Sequence, residues 1–199
     1  GQRNRSNMAT LTLGGKTVLT QTGSDEPVLS SNLTGTLGSG ITLTNGITYP
    51  SGHILQMKHA TRTTSYSDTY DNTWTNIPSF EVAITPFFST SKILVIANLR
   101  AGNGATSSHN GASLILRRDI DNAGYSNIGN QIQVNVGDPY TYAITHVLTH
   151  IDTPNTNLSV KYTVGYADTV SSYTGATLYI GRIQAVTTEP EYESVIMAM

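Results

Sequence analysis

Short runs in which apolar side chains recur at every second position, broken by clusters of Gly, Asn, Ser and Asp, fill most of the chain. A period of two puts one face of a strand into a core. Such runs fall at residues 54–60, 74–77, 80–85, 92–99, 113–117, 131–136, 140–151, 158–166, 177–183 and 195–199. Their even spacing predicts an all-β fold, an antiparallel β-sandwich of jelly-roll-like form. No segment of helical length shows a 3.6-residue period. Phe80-Glu81-Val82-Ala83-Ile84-Thr85 alternates and predicts a strand with one buried face. Ile93-Leu94-Val95-Ile96-Ala97 is apolar throughout and predicts a central strand covered on both sides, by its own sandwich and by a neighbouring subunit. Trp74, just ahead of the alternating run, is expected in the core, and Pro86 ends that run.

The pattern divides the chain. Gly1-Gln2-Arg3-Asn4-Arg5-Ser6-Asn7, ahead of Met8, reads as an expression scar or disordered lead-in. Residues 8–50 alternate Thr with single apolar residues and are thin in bulky side chains. They are expected to form an extended N-terminal arm or shaft that needs partner chains. Within them Gly14-Gly15 reads as a turn, and Asn45-Gly46 between alternating runs reads as a type I′ hairpin. Residues 51–199 hold the core and are expected to form a β-sandwich knob.

Composition sharpens this reading. Of 199 residues only 12% are charged, about half the usual share. Polarity comes instead from 30 Thr, 19 Ser, 15 Asn and 18 Gly. This excludes a charge-rich helical bundle. The absence of Cys excludes disulfide staples and Cys-ligated zinc. A net charge of −2 gives no drive toward nucleic acid, and no apolar run is long enough for a membrane-inserted helix.

The local motifs carry little chemistry. Gly15-Lys16-Thr17 resembles the end of a phosphate loop, but Thr10 stands where its first Gly is required, so a hairpin turn is the better reading. His146 and His150 on a strand would lie roughly 13 Å apart, too far to share one ion. Asp119-Ile120-Asp121-Asn122-Ala123-Gly124 hints at a calcium loop, but Ala123 and Asn130 occupy ligand positions, leaving a polar turn. The doublet Arg117-Arg118 is expected to pair with Asp119 and Asp121 or to be solvated. No catalytic residue, cofactor or metal ligand is assigned. Binding is expected instead on polar, Gly-rich loops at 101–111, 121–129 and 168–175. The candidate receptor contacts there are Asn103, Ser108, His109, Asn110, Asn122, Tyr125, Asn127, Asp168, Ser172 and Tyr173. Tyr66, Tyr70 and Tyr140 are further ring candidates beside presumed loops.

Ser51-Gly52-His53-Ile54-Leu55-Gln56, followed by Val82-Ala83-Ile84-Thr85-Pro86-Phe87-Phe88-Ser89-Thr90-Ser91-Lys92-Ile93-Leu94-Val95, resembles a module of tailed-bacteriophage virion proteins, those of marine podoviruses above all. The turn Thr153-Pro154-Asn155-Thr156 and the Ile196-Met197-Ala198-Met199 ending fit too. The opening Leu11-Thr12-Leu13-Gly14-Gly15-Lys16-Thr17 looks like the start of virion fibre or appendage proteins. The resemblance covers most of 51–199 and, more loosely, 8–30. It implies a non-enzymatic, homotrimeric virion part, made in the host cytoplasm. The arm would bind other virion proteins, and the knob would touch a host-surface glycan or protein. A passive capsid decoration or cement protein, a free carbohydrate-binding module and a glycan-cleaving enzyme are the alternatives. The chain departs from the family at Phe87-Phe88, where small polar residues are usual, which marks both as candidate subunit contacts.

Overall fold

The computed structural model describes residues 8–13, 16–22, 28–29, 53–103, 112–134, 143–169, 177–181 and 191–199. The chain divides into two compact units, Gly1–Pro50 and Ser51–Met199. Among the described residues there are strands and no helix.

In the first unit, β1 (Met8–Leu13) and β2 (Lys16–Thr22) pair antiparallel, with Leu13 opposite Lys16, and β3 (Val28–Leu29) adds to β2. Lys16-Thr17 therefore opens a strand, a position from which it cannot cap a phosphate-binding helix. The Asn45-Gly46 hairpin lies outside the described residues.

The second unit contains β4 (Lys58–Arg62), β5 (Tyr66–Thr69), β6 (Thr75–Ile84), β7 (Ile93–Asn103), β8 (Ser113–Ile120), β9 (Ser126–Gln133), β10 (Ile144–Asp152), β11 (Val160–Ala167), β12 (Thr177–Ile180) and β13 (Ser194–Ala198). One sheet has the order β10-β7-β13-β4, extended where β12 pairs with the far end of β7 and with β5. The other has the order β6-β11-β8-β9. All these pairs are antiparallel. Leaving β5 and β12 aside, eight strands cross between the sheets in the order of a jelly roll. Facing sheets bury the alternate residues of each strand between them.

Phe80, Tyr162, Val164, Leu99, Leu114 and Ile196 are all fully buried in that core. Each large apolar side chain so placed contributes about 1.5–3 kcal/mol. Pro78-Ser79 splits the sequence pattern into two runs, yet β6 is one strand. A register shift opposite Thr163–Gly165, with Ser79 at φ 55°, lets Ile77 and Phe80 both face inward. Residues 77–80 stand opposite Val164 alone, and the odd number of extra residues in this bulge converts a three-residue spacing into a same-face pair. Thr163 fixes the bend by donating its hydroxyl to the Phe80 carbonyl at 2.6 Å.

In the central run Val95, Ala97 and Leu99 are fully buried by the sandwich, whereas Leu94 and Ile96 are half-exposed on the side expected to meet a neighbouring subunit. Two expectations need correction. Trp74 is only half-buried and lies outside the core. Tyr70 is no loop ring, because it is 2% exposed within the core.

Candidate interaction surfaces

The outer face of the β6-β11-β8-β9 sheet is organised by Arg117. Its aliphatic stem (Cγ and Cδ) lies across Gly165 of the neighbouring strand β11, where any side chain would collide with it. From there the guanidinium donates to Asn127 Oδ1 (3.1 Å), Asn76 Oδ1 (2.6 Å), the Trp74 carbonyl (3.2 Å) and the Tyr125 carbonyl (3.2 Å). It also lies 5.6 Å from the Tyr125 ring centroid. The Tyr125 hydroxyl donates to Glu81, which pairs loosely with Lys161 at 3.7 Å. Arg117 thus pairs with neutral groups, not with Asp119 or Asp121 as its sequence neighbours suggest. Its strand partner in the sequence, Arg118, points the other way and pairs with Asp152 of β10 at 2.8 Å. Tyr162 donates to the second oxygen of that carboxylate at 2.7 Å. Burial and the Asp152 carboxylate push the Tyr162 hydroxyl far above its ordinary pKa, so it remains a donor.

Asp121 (φ 53°) and Asn122 (φ 62°) occupy the left-handed region, and the Ala123 amide donates to the Ile120 carbonyl at 3.1 Å. Two consecutive positive φ angles closed by this bond make a type I′ turn. Asp119 supports it by accepting from the Gly124 amide at 3.0 Å, so this carboxylate belongs to the turn. Among the described residues no three His, Asp or Glu side chains gather as a metal site. His146 and His150 both lie on the inner side of β10. His146 is buried, and its Nε2 has no partner.

The candidate contacts do not converge. Asn122 and Tyr125 lie in the connection beyond the Ile120 end of β8, and Asn127 on β9 pairs with Arg117 near that same end. Asn103 and Asp168 lie at the opposite end, where Ala167 pairs with Ser113. The seven steps of β8 separate the two ends by about 23 Å. Asp168 is 3% exposed, its amide donating to the Asp71 carbonyl at 2.7 Å, so it is withdrawn as a contact residue. Tyr125 and Asn127 are held by Arg117, which leaves Asn122 as the exposed side chain at the apex. Ser108, His109, Asn110, Ser172, Tyr173 and Tyr140 lie outside the described residues.

The Asn103 end holds a cluster that the sequence reading missed. Tyr166 and Tyr66 both donate to Asp68 Oδ2, at 2.5 and 3.0 Å, and their hydroxyls lie 2.8 Å apart. The Tyr166 hydrogen bond is the main cause holding the Asp68 carboxyl below the usual range. Tyr66 and Asp68 stand on β5 and Tyr166 on β11 of the other sheet, so only the packing of the two sheets brings them together and local spacing gave no sign of the cluster.

Phe87 and Phe88 are 67% and 53% exposed in the β6–β7 connection. Phe87 borders a hollow of about 470 Å³ with Ile54, Pro86, Leu94, Ile151 and Met199, and with Lys92 and His53 as its basic groups. Leu94, Ile151 and Met199 belong to the outer face of the other sheet, so the hollow is continuous with that face.

No protein-family model matches the chain, and no curated protein sequence matches it significantly. Solved structures give weak likenesses. Infectious bursal disease virus of the Gx strain has 11% identity and a TM-score of 0.35, covering 77% of this chain and 41% of that one. The Gt strain of the same virus has 13% identity and a TM-score of 0.38, covering 86% of this chain and 46% of that one. The Yersinia pseudotuberculosis-derived mitogen has 14% identity and a TM-score of 0.25, covering 69% of this chain and 94% of that one. This chain therefore spans less than half the length of the two viral chains.

Proposed function

We propose that this chain is a structural protein of a bacteriophage particle, a fibre or appendage component whose jelly-roll unit assembles as a homotrimer and contributes to host-surface recognition. The N-terminal unit would bind other virion proteins, and the protein would be made in the host cytoplasm and carried on the particle. The observation that carries this reading is the division of labour between the two outer sheet faces. One is polar and saturated with internal hydrogen bonds around Arg117. The other leaves apolar side chains exposed, which a single subunit rarely tolerates over a large patch and an assembled one buries. The sequence resemblance to phage virion modules supports the same reading.

The reading is non-enzymatic. Asp68, the carboxylate with the most organised surroundings, is held ionised by two tyrosines, and a general base needs a pKa near the working pH. One observation favours passive decoration over receptor contact: the Asn127 side-chain oxygen is taken by Arg117 and the Tyr125 hydroxyl proton by Glu81. Antibody raised against the purified chain should label intact phage particles, and absence of the chain from purified particles would refute the proposal. Binding of the purified protein to host cells separates recognition from decoration.

A further inference from the structure

We infer that the outer face of the β10-β7-β13-β4 sheet is the surface on which a second copy of this chain docks. This rests on the assembly proposed above and names the face that would carry it.

Cross-strand register places the outward side chains in rows. Val195, Asn98 and Val147 form one, and Met197, Ile96 and Thr149 the next. Leu94 and Ile151 form a third, which Met199 joins through paired backbone bonds with Leu94. Val147 and Ile151 are 54% and 63% exposed. No formal charge stands in these rows. Arg100, outward at one end of β7, is engaged by the Ala143 carbonyl at 3.0 Å and lies 3.8 Å from the Tyr192 ring centroid.

The occupant follows from this chemistry. In a closed trimer the same residues of all three copies gather near the axis, so identical charges come together there, and a face without charge meets neighbouring copies with neither repulsion nor buried ions. The fourth strand extends the rows with Thr61 beside Val195 and His59 beside Met197, so the rows hold no Lys or Arg for nucleic acid and no Tyr, Trp or Phe on which a sugar could stack, Phe87 and Phe88 standing only at the margin. The nine residues of β10, the nine of β7 paired with them and the five each of β13 and β4 cover about 450 Å² in projection. Phe87, Phe88 and Ile54 at the margin bring the surface toward the ~800 Å² per partner of a standard interface.

The test is sedimentation of the full chain at micromolar concentration. Wild type should sediment as an oligomer, and V147K/I151K as a monomer with an unchanged melting temperature. A83E, on the opposite outer face, should remain oligomeric. A monomeric wild type overturns the inference, and so does a folded V147K/I151K that remains oligomeric. If that variant does not fold, V147T/I151T decides. It keeps β-branched side chains and should weaken association about tenfold or more, and unchanged association overturns the inference. Labelling of particles is read separately, so failure of the face and failure of the virion assignment are distinguishable.

Discussion

Gly165 lies directly beneath Arg117: a Cβ added to Gly165 would stand 2.3 Å from Arg117 Cδ and 3.4 Å from the Thr75 carbonyl oxygen. The guanidinium cannot retreat without breaking its bonds to Asn127, Asn76, Trp74 and Tyr125. Gly165→Ala should therefore cost about 1–3 kcal/mol as an overpacking substitution. In an Arg117→Ala background the same change should cost much less. Denaturant unfolding of the four proteins in the cycle measures the coupling, and additive losses would show that the close approach does not matter.

Tyr162→Phe removes the hydroxyl that binds Asp152 and leaves one carboxylate oxygen of a buried ion pair without its donor. The expected loss is about 1–3 kcal/mol. Asp152→Ala should cost more, because Arg118 then keeps its charge with no partner. Equilibrium unfolding of both variants checks the order.

Stability should fall on acidification through His146. Burial lowers its pKa below the ordinary 6.5, partly offset by its bond with the Ala101 backbone. The unfolded chain then binds a proton more readily than the folded one, so stability is full above about pH 6.5 and declines below it. Asp68, also lowered in the fold, adds a second loss only below its ordinary 3.8. Melting temperatures between pH 7.5 and 5 should decline for wild type and flatten for His146→Asn. An equal slope in both proteins would assign the loss to other groups.

Phe87→Ser with Phe88→Ser should leave the stability of the isolated subunit within about 0.5 kcal/mol, since both rings are already largely exposed. Association should weaken, because these rings border the proposed docking face. Thermal melting of the subunit and sedimentation of the assembly separate the two effects.

Asn122→Gly should be tolerated at φ 62°, whereas Asn122→Ala should cost about 1 kcal/mol in the left-handed region. If Asn122 contacts the host surface, both variants lose host-cell binding although only one loses stability. Retained binding in Asn122→Gly would remove this apex as a contact.

The sequence by itself determined the fold class and most strands, because a period of two survives wherever one face of a strand is buried. It placed the turn at Asp121-Asn122, where two residues that tolerate positive φ stand together. It failed where the burial pattern depends on distant partners. Ser126–Gln133 is too polar to read as a strand along its whole length, yet β8 pairs with it. Pro78-Ser79 looked like a break and is a bulge, because Thr163 across the sheet holds it. Leu94 and Ile96 read as the side of the central strand that meets a neighbouring subunit, and only the arrangement of the sheets shows which other side chains share that outward face.

The candidate contacts divide in the same way. Spacing along the chain cannot say which end of a sandwich a loop occupies, so Asn122 and Asp168 seemed equivalent and lie at opposite ends. The shortage of charge was legible from composition. Its concentration into one uncharged outer face, opposite another organised by a single arginine, was decided by tertiary structure, because strand register sets which side chains stand in a row.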